Sequence, residues 1–161
     1  MLTRRSLLTL FSLLFVVVAG GAGCKAIKRM LPTTTVNKAD EGTPEWLVLK
    51  GIEAGIAGKK EGTEAGWKII RPWLHSSLTE LRTSEDNFLN MNFPAFCRKV
   101  HLFIPKDGSL SYELDYYDSD VGDEEKERRV FIVNTASENP SPFRIARDPK
   151  ANNEWRIKNI P

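Results

Sequence analysis

Seven carboxylates crowd into the thirteen residues from Asp115 to Glu127: Asp115, Asp118, Asp120, Asp123, Glu124, Glu125 and Glu127. Hard cations such as calcium are held by several oxygens converging from a tight loop. A twelve-residue calcium loop counted from Asp118 needs a bidentate glutamate at its last position, where Arg129 stands. Its glycine and acid also come in the wrong order at Gly122-Asp123. The run therefore reads as the solvated loop of a hairpin, and no metal is expected. His75 and His101, the two histidines, lack carboxylates or cysteines at ligand spacing and make no zinc signature. Cys97 precedes His101 by four residues, but it sits among aromatics in Phe93-Pro94-Ala95-Phe96-Cys97, without a glycine-rich nucleophile turn. It is expected to be a small buried hydrophobe. Tyr112, Tyr116 and Asp115 are the right types for an acid or base with hydroxyl donors aimed at a developing oxyanion. Strand alternation puts Asp115 on the face opposite both tyrosines, so that constellation fails and no catalytic residue is assigned. Tyr112, Tyr116 and Trp67 are expected to line the core, or a pocket between helices and sheet, with no cofactor.

The elements that must carry these residues change character halfway along the chain. Thr43-Pro44-Glu45 is a helix start: a hydroxyl cap, proline at the first helical position and an acid in the first turn. Trp46, Leu49, Ile52 and Ile56 follow at helical spacing, with Gly58 as the expected stop. A second helix is expected from Thr63-Glu64 through Trp67, Ile70 and Leu74, kinked or shortened by Pro72. Ser77 to Glu80 has capping-box spacing, and residues 84–100 are expected as two short helices interrupted at Pro94. Strands are expected over 100–104, 110–116, 129–134, 143–147 and 155–160, separated by turn segments such as Pro105-Lys106-Asp107-Gly108. Helices first and a meandering sheet afterwards make an α+β fold, with N-terminal helices packed on a curved antiparallel sheet.

Ahead of this domain, Arg4 and Arg5 run into an apolar stretch from Leu7 to Val18, then small residues from Ala19 to Gly23, then Cys24. That is the layout of a secretory leader. The cysteine directly after the small residues resembles a bacterial lipoprotein signal, which implies cleavage before Cys24 and a lipid on that residue. Thr3-Arg4-Arg5-Ser6-Leu7-Leu8 also looks like a twin-arginine export signal, with ordinary secretion ranked first. An uncleaved anchor is the alternative, although Leu7 to Gly23 is near the lower edge of the roughly 17–25 residues a spanning helix needs. Residues 1–23 are thus expected as signal peptide, 24–42 as lipidated N-terminus and flexible tether, and 43–161 as one domain. An 18-residue flexible segment spans about 25 Å.

The chain carries 23 basic and 21 acidic residues. Without the leader's two arginines the two signs balance at 21 each, so the electrostatic footprint of a nucleic-acid binder is missing. If Cys24 carries a lipid, Cys97 has no disulfide partner within the chain.

The Thr43-Pro44-Glu45 start, Gly58, the Trp73-Leu74-His75 helix end and the closing Glu154-Trp155-Arg156-Ile157 strand together resemble the nuclear transport factor two-like superfamily. The resemblance spans 43–161 and implies a sheet curved around helices into a cone with a pocket. Members include ketosteroid isomerase-type enzymes and non-catalytic envelope lipoproteins. The expectation is a non-catalytic binding or assembly domain, held through Cys24 to the outer membrane or the periplasmic face of the inner membrane, with an envelope protein as partner. A small-molecule binder or isomerase using the cone's pocket is the alternative.

Overall fold

The computed structural model of the protein describes residues 33–118 and 126–161, and of 116–118 only the backbone. The leader, Cys24, most of the acidic run and the Tyr116 side chain therefore lie outside the described residues.

Thr43 caps the first helix, α1 (Pro44–Glu61), as its type predicts. Its backbone is extended, its Oγ accepts from the Trp46 N–H at 3.3 Å, and its hydroxyl donates to the Asp40 carbonyl at 2.7 Å. Gly58 does not stop the helix. The helix runs on to Glu61 and ends at Gly62, whose φ of 100° suits glycine. Gly51, Gly55 and Gly58 form instead a stripe of missing side chains on α1. A Cβ on Gly51 would lie 2.7 Å from the Phe143 ring, and one on Gly55 2.7 Å from the Phe96 ring. One on Gly58 would run into the Cys97 sulfur. The second helix, α2 (Thr63–Ile70), folds back along α1 and gives way to a single 3₁₀ turn at Arg71–Trp73, with Pro72 inside it.

The short helix α3 (Ser76–Thr79) is capped by His75 rather than by Ser77. From α4 (Arg82–Asn87) the chain continues through a π-helical turn (Phe88–Asn92) into α5 (Phe93–Lys99) and a 3₁₀ turn (Val100–Leu102). The wider π turn lets the Phe93 N–H reach the Phe88 carbonyl. Pro94 is thereby carried at the start of α5, where its missing N–H costs least. Val100–Ile104 is thus not a strand, and His101 does not open one. Phe93, Phe96, Val100 and Phe103 are all buried at helical spacing, and that stripe prevails over the local β-branched composition.

The sheet comprises β1 (Thr34–Val36), β2 (Tyr112–Asp118), β3 (Glu127–Ile132), β4 (Ser141–Asp148) and β5 (Glu154–Asn159), antiparallel throughout in the order β1-β2-β3-β4-β5. Part of the segment expected as tether is therefore sheet: Thr34 to Val36 pair with Leu114 to Tyr112 as an edge strand. β-Branched residues suit such a strand, and the compact unit starts at Thr33 rather than at residue 43. The fold class stands as expected, α+β with helices on an antiparallel sheet. Two register shifts, between Leu114 and Tyr116 and between Arg144 and Ile145, bend the strands. The first breaks the simple alternation that pairs Tyr112 with Tyr116: Leu114 lies opposite Ile132, yet Tyr116 lies opposite Phe131 and Tyr117 opposite Val130.

The core lies between α1, α5 and β3 to β5. Leu47, Val48, Ile52, Phe93, Phe96, Ile132, Phe143, Ile145 and Ile157 are wholly excluded from water. Phe96 meets Phe143 edge to face, with centroids 5.7 Å apart. Each such side chain contributes about 1.5–3 kcal/mol on burial.

Candidate functional site

Three of the four tryptophans, far apart in sequence, meet at one end of this core. Trp46 stands in the first turn of α1. Trp73 is placed by the 3₁₀ turn that Pro72 favours, and Trp155 lies on β5 opposite Arg147 of β4. Trp46 and Trp73 meet edge to face, with centroids 4.6 Å apart and planes at 90°. Together with Arg147, Glu154, Arg156 and the Glu41-Gly42 approach to α1 they line a cleft of about 410 Å³. That lies within the size range of small-ligand sites, roughly 300–1,000 Å³.

Cations cover the indoles. The Arg156 guanidinium lies 5.5 Å from the Trp73 centroid and the Lys50 ammonium 5.4 Å from that of Trp46. Arg147 and Arg128 lie 4.1 and 5.5 Å from that of Trp155. Each contact is worth about 0.5–1 kcal/mol where water still reaches it. Arg156 is also bound at both ends of its fork, donating to the Glu154 carboxylate at 2.6 Å and to the Trp155 carbonyl at 3.0 Å. It forms part of the wall of a second, shallower groove of about 650 Å³, which Trp67, Lys68, Arg71, Asp148 and Lys150 also line. There each cation has a carboxylate: Lys68 pairs with Glu64, Arg71 with Glu85 at 2.8 Å, and Lys150 with Glu80.

Asp148, only 3% exposed, holds this region in shape. Its Oδ2 accepts from the Ser76 N–H at 2.7 Å, and its Oδ1 from the Ser76 hydroxyl and the Lys150 N–H at 2.9 Å each. Burial by itself would raise this carboxyl's pKa. The Ser76 and Lys150 N–H groups and the Ser76 hydroxyl outweigh that and hold it below the usual carboxylate range. Asp148 thereby ties the start of α3 to the turn between β4 and β5. In that turn Asn152 and Asn153 take left-handed conformations, at φ 53° and 58°, which asparagine tolerates better than most residues.

His75 belongs to the same knot. Its Nδ1 accepts from the Ser77 N–H at 3.1 Å, which leaves the ring proton on Nε2 to donate to the Arg147 carbonyl at 3.3 Å. The Ser77 hydroxyl lies 2.9 Å from that same Nδ1, a nucleophile-and-base distance. The nitrogen's one lone pair already serves the backbone N–H, however, so the arrangement is a helix cap.

Of the sequence-predicted lining residues, Tyr116 has its side chain outside the described residues, and Tyr112 and Trp67 sit in different surroundings. Tyr112 is fully buried in the core, with its hydroxyl 3.5 Å from the Glu45 carbonyl. Trp67 is half-buried, packs on Phe88 and Phe93, and lines the second groove. Cys97 is 3% exposed, and burial pushes its thiol up to about 11, the opposite of what a nucleophile needs. His101 is exposed on the 3₁₀ turn. Among the described residues no three histidine, cysteine, aspartate or glutamate side chains gather as metal ligands, and no helix is long and apolar enough to cross a membrane.

The residues that form the cleft and the neighbouring groove carried weak local signals: Pro72 precedes Trp73, Trp155-Arg156 sets arginine beside tryptophan, and Asp148-Pro149 is a turn-starting pair. Their convergence is tertiary and leaves no periodicity. Compared with known proteins, the chain matches no family model, no curated protein and no solved structure.

Proposed function

We propose that this protein is a lipoprotein of the bacterial envelope, held to the membrane through a lipid on Cys24, whose α+β domain binds a protein partner and carries out no chemistry of its own. The leader's order of charge, apolar core, small residues and cysteine supports the anchor. Lys25, which follows Cys24, mildly favours the outer membrane. The likeness to the nuclear transport factor two-like superfamily enters this proposal as architecture alone.

The observation that carries the binding role is the fate of Asp148. An isomerase-type reaction needs a carboxylate facing substrate in a cavity. The buried carboxylate of the described residues instead spends its oxygens on Ser76 and Lys150, closing a turn. Tyr112, the hydroxyl donor such chemistry would recruit, is packed in the core. A cleft walled by indoles and arginines is rich in the residue types that dominate protein-protein hot spots.

A photo-crosslinking amino acid at Glu154, on the cleft's exposed rim, tests this in cells producing the full chain. The expected result is one discrete adduct with an envelope protein, absent when the same group replaces Lys106 on the Pro105–Gly108 turn. Adducts of equal yield and pattern at both positions, or none at Glu154, would overturn the binding role.

A further inference from the structure

We propose that the tryptophan-arginine cleft recognises a carboxylate on a partner polypeptide, an acidic side chain set beside an apolar one, and that Arg147 is the residue that takes it. The inference deepens the binding role proposed above and rests on it.

Two arginines line the cleft, and they are not equivalent. Arg156 has its carboxylate already, in Glu154. Arg147 is exposed, and among the described residues one of its five side-chain N–H donors is used, from Nη1 to the Asn153 carbonyl at 3.0 Å. No carboxylate of the described residues pairs with it. Its guanidinium is nevertheless not loose: it lies 4.1 Å from the centroid of Trp155, a residue only 7% exposed and thus held in place. A guanidinium stacked on an indole is a preoriented fork, and a carboxylate is the group that matches its geometry. Arg128 stands over the same ring at 5.5 Å, from a second strand.

The rest of the lining narrows the ligand. Trp46 and Trp73 form a half-buried apolar wall, so a side chain next to the carboxylate finds an apolar neighbour. A quaternary ammonium guest, which aromatic boxes otherwise favour, is repelled by the cations already standing over the rings, Lys50 at Trp46, Arg156 at Trp73 and Arg147 at Trp155. A phosphate would fit the fork, but its second charge would be set against Glu41 in the same cleft, Glu154 being paired with Arg156. A singly charged carboxylate on a peptide avoids most of that repulsion.

The test uses the full mature chain in detergent and three probes: the capped dipeptide acetyl-Phe-Glu-amide, its Phe-Gln counterpart, and inorganic phosphate. Binding is read from the indole N–H resonances of the tryptophans. The expected result is that the Phe-Glu peptide shifts the Trp155 and Trp73 signals and binds about tenfold more tightly than the Phe-Gln peptide. Arg147→Gln should abolish that preference, with the indole signals of the free protein showing that the cleft survives, and Arg147→Lys should retain part of it. Equal affinity for the two peptides, a stronger response to phosphate than to the Phe-Glu peptide, or no shift at either indole would each overturn the inference. If the Glu154 crosslink still captures a partner in that event, the inference fails alone and the binding role stands. If the crosslink fails as well, both fall.

Discussion

Alanine at Gly66 is expected to cost the domain at least about 3 kcal/mol, although the same change in an exposed helix would stabilise it by about 1 kcal/mol. The reversal comes from the α1–α2 hairpin. A Cβ on Gly66 would run into the carbonyl oxygen of Ala54, and would stand 2.9 Å from both the Gly58 nitrogen and the Phe93 ring. Two of those three neighbours are backbone of α1, and backbone inside a helix cannot step aside without pushing the helices apart. Gly55→Ala makes the comparison sharp. Its Cβ would meet only side chains, the Phe96 ring at 2.7 Å and Val100 Cγ2 at 2.9 Å. These can turn, so a cost of about 1–2 kcal/mol is expected. Thermal unfolding reads both, with a fall of about 10 °C or more for Gly66→Ala and a smaller one for Gly55→Ala. A Gly66→Ala variant as stable as the parent would mean that the two helices are not packed this closely.

The second large effect is at Asp148. Three donors converge on its two oxygens, and asparagine would bring an NH₂ group against at least one of them. Asp148→Asn is expected to cost about 2–3 kcal/mol, because a buried donor is left facing a donor. The effect also has a pH signature. The carboxyl is held below its ordinary range in the folded protein, so its contribution is fully present above the unfolded-state value near pH 4 and is lost as pH falls through the lower, folded value. The parent should therefore lose stability more steeply than Asp148→Asn as pH drops from about 5 toward 3 in denaturant titrations. Part of the acid slope must persist in the variant. Glu127 of β3 accepts from Lys158 of β5 and Arg144 of β4, and against the cost of its burial these partners hold it low as well. Parallel stability-pH curves for parent and variant would contradict the role given to Asp148.

What could be read from the chain beforehand was whatever local chemistry decides. Thr43-Pro44-Glu45 acts as a helix cap in any context, and its geometry is the predicted one. Pro72 ends α2 because a proline ring cannot extend that helix without loss. The alternating and β-branched runs of the second half place β2 to β5 within a few residues. Misreadings arise where a distant contact outweighs the local signal. Gly58 looks like a stop but is kept small by Cys97, which arrives from α5. Val100 to Ile104 has strand composition, yet its buried positions continue the stripe of α5. Thr34 to Val36 reads as tether because three residues make too short a run to recognise without β2 beside them.

The cleft was hidden for the same reason. Trp46, Trp73 and Trp155 each look like ordinary core residues in their own segments, and only the assembled fold sets them around one opening. Arg147 and Asp148 are adjacent in sequence but have opposite fates: Arg147 faces water at the cleft, while Asp148 is sealed beneath the turn. Tyr112 illustrates the converse, a chemically suitable side chain that the core absorbs entirely.

Whether the domain is tethered by lipid outside the cytoplasmic membrane is decided by the mass of the N-terminal peptide of protein purified from its native cells. The predicted result is a peptide beginning at Cys24 and heavier than its residues by a diacylglycerol group, with or without a further acyl chain. A peptide beginning at Met1, or at Cys24 without added mass, would contradict it.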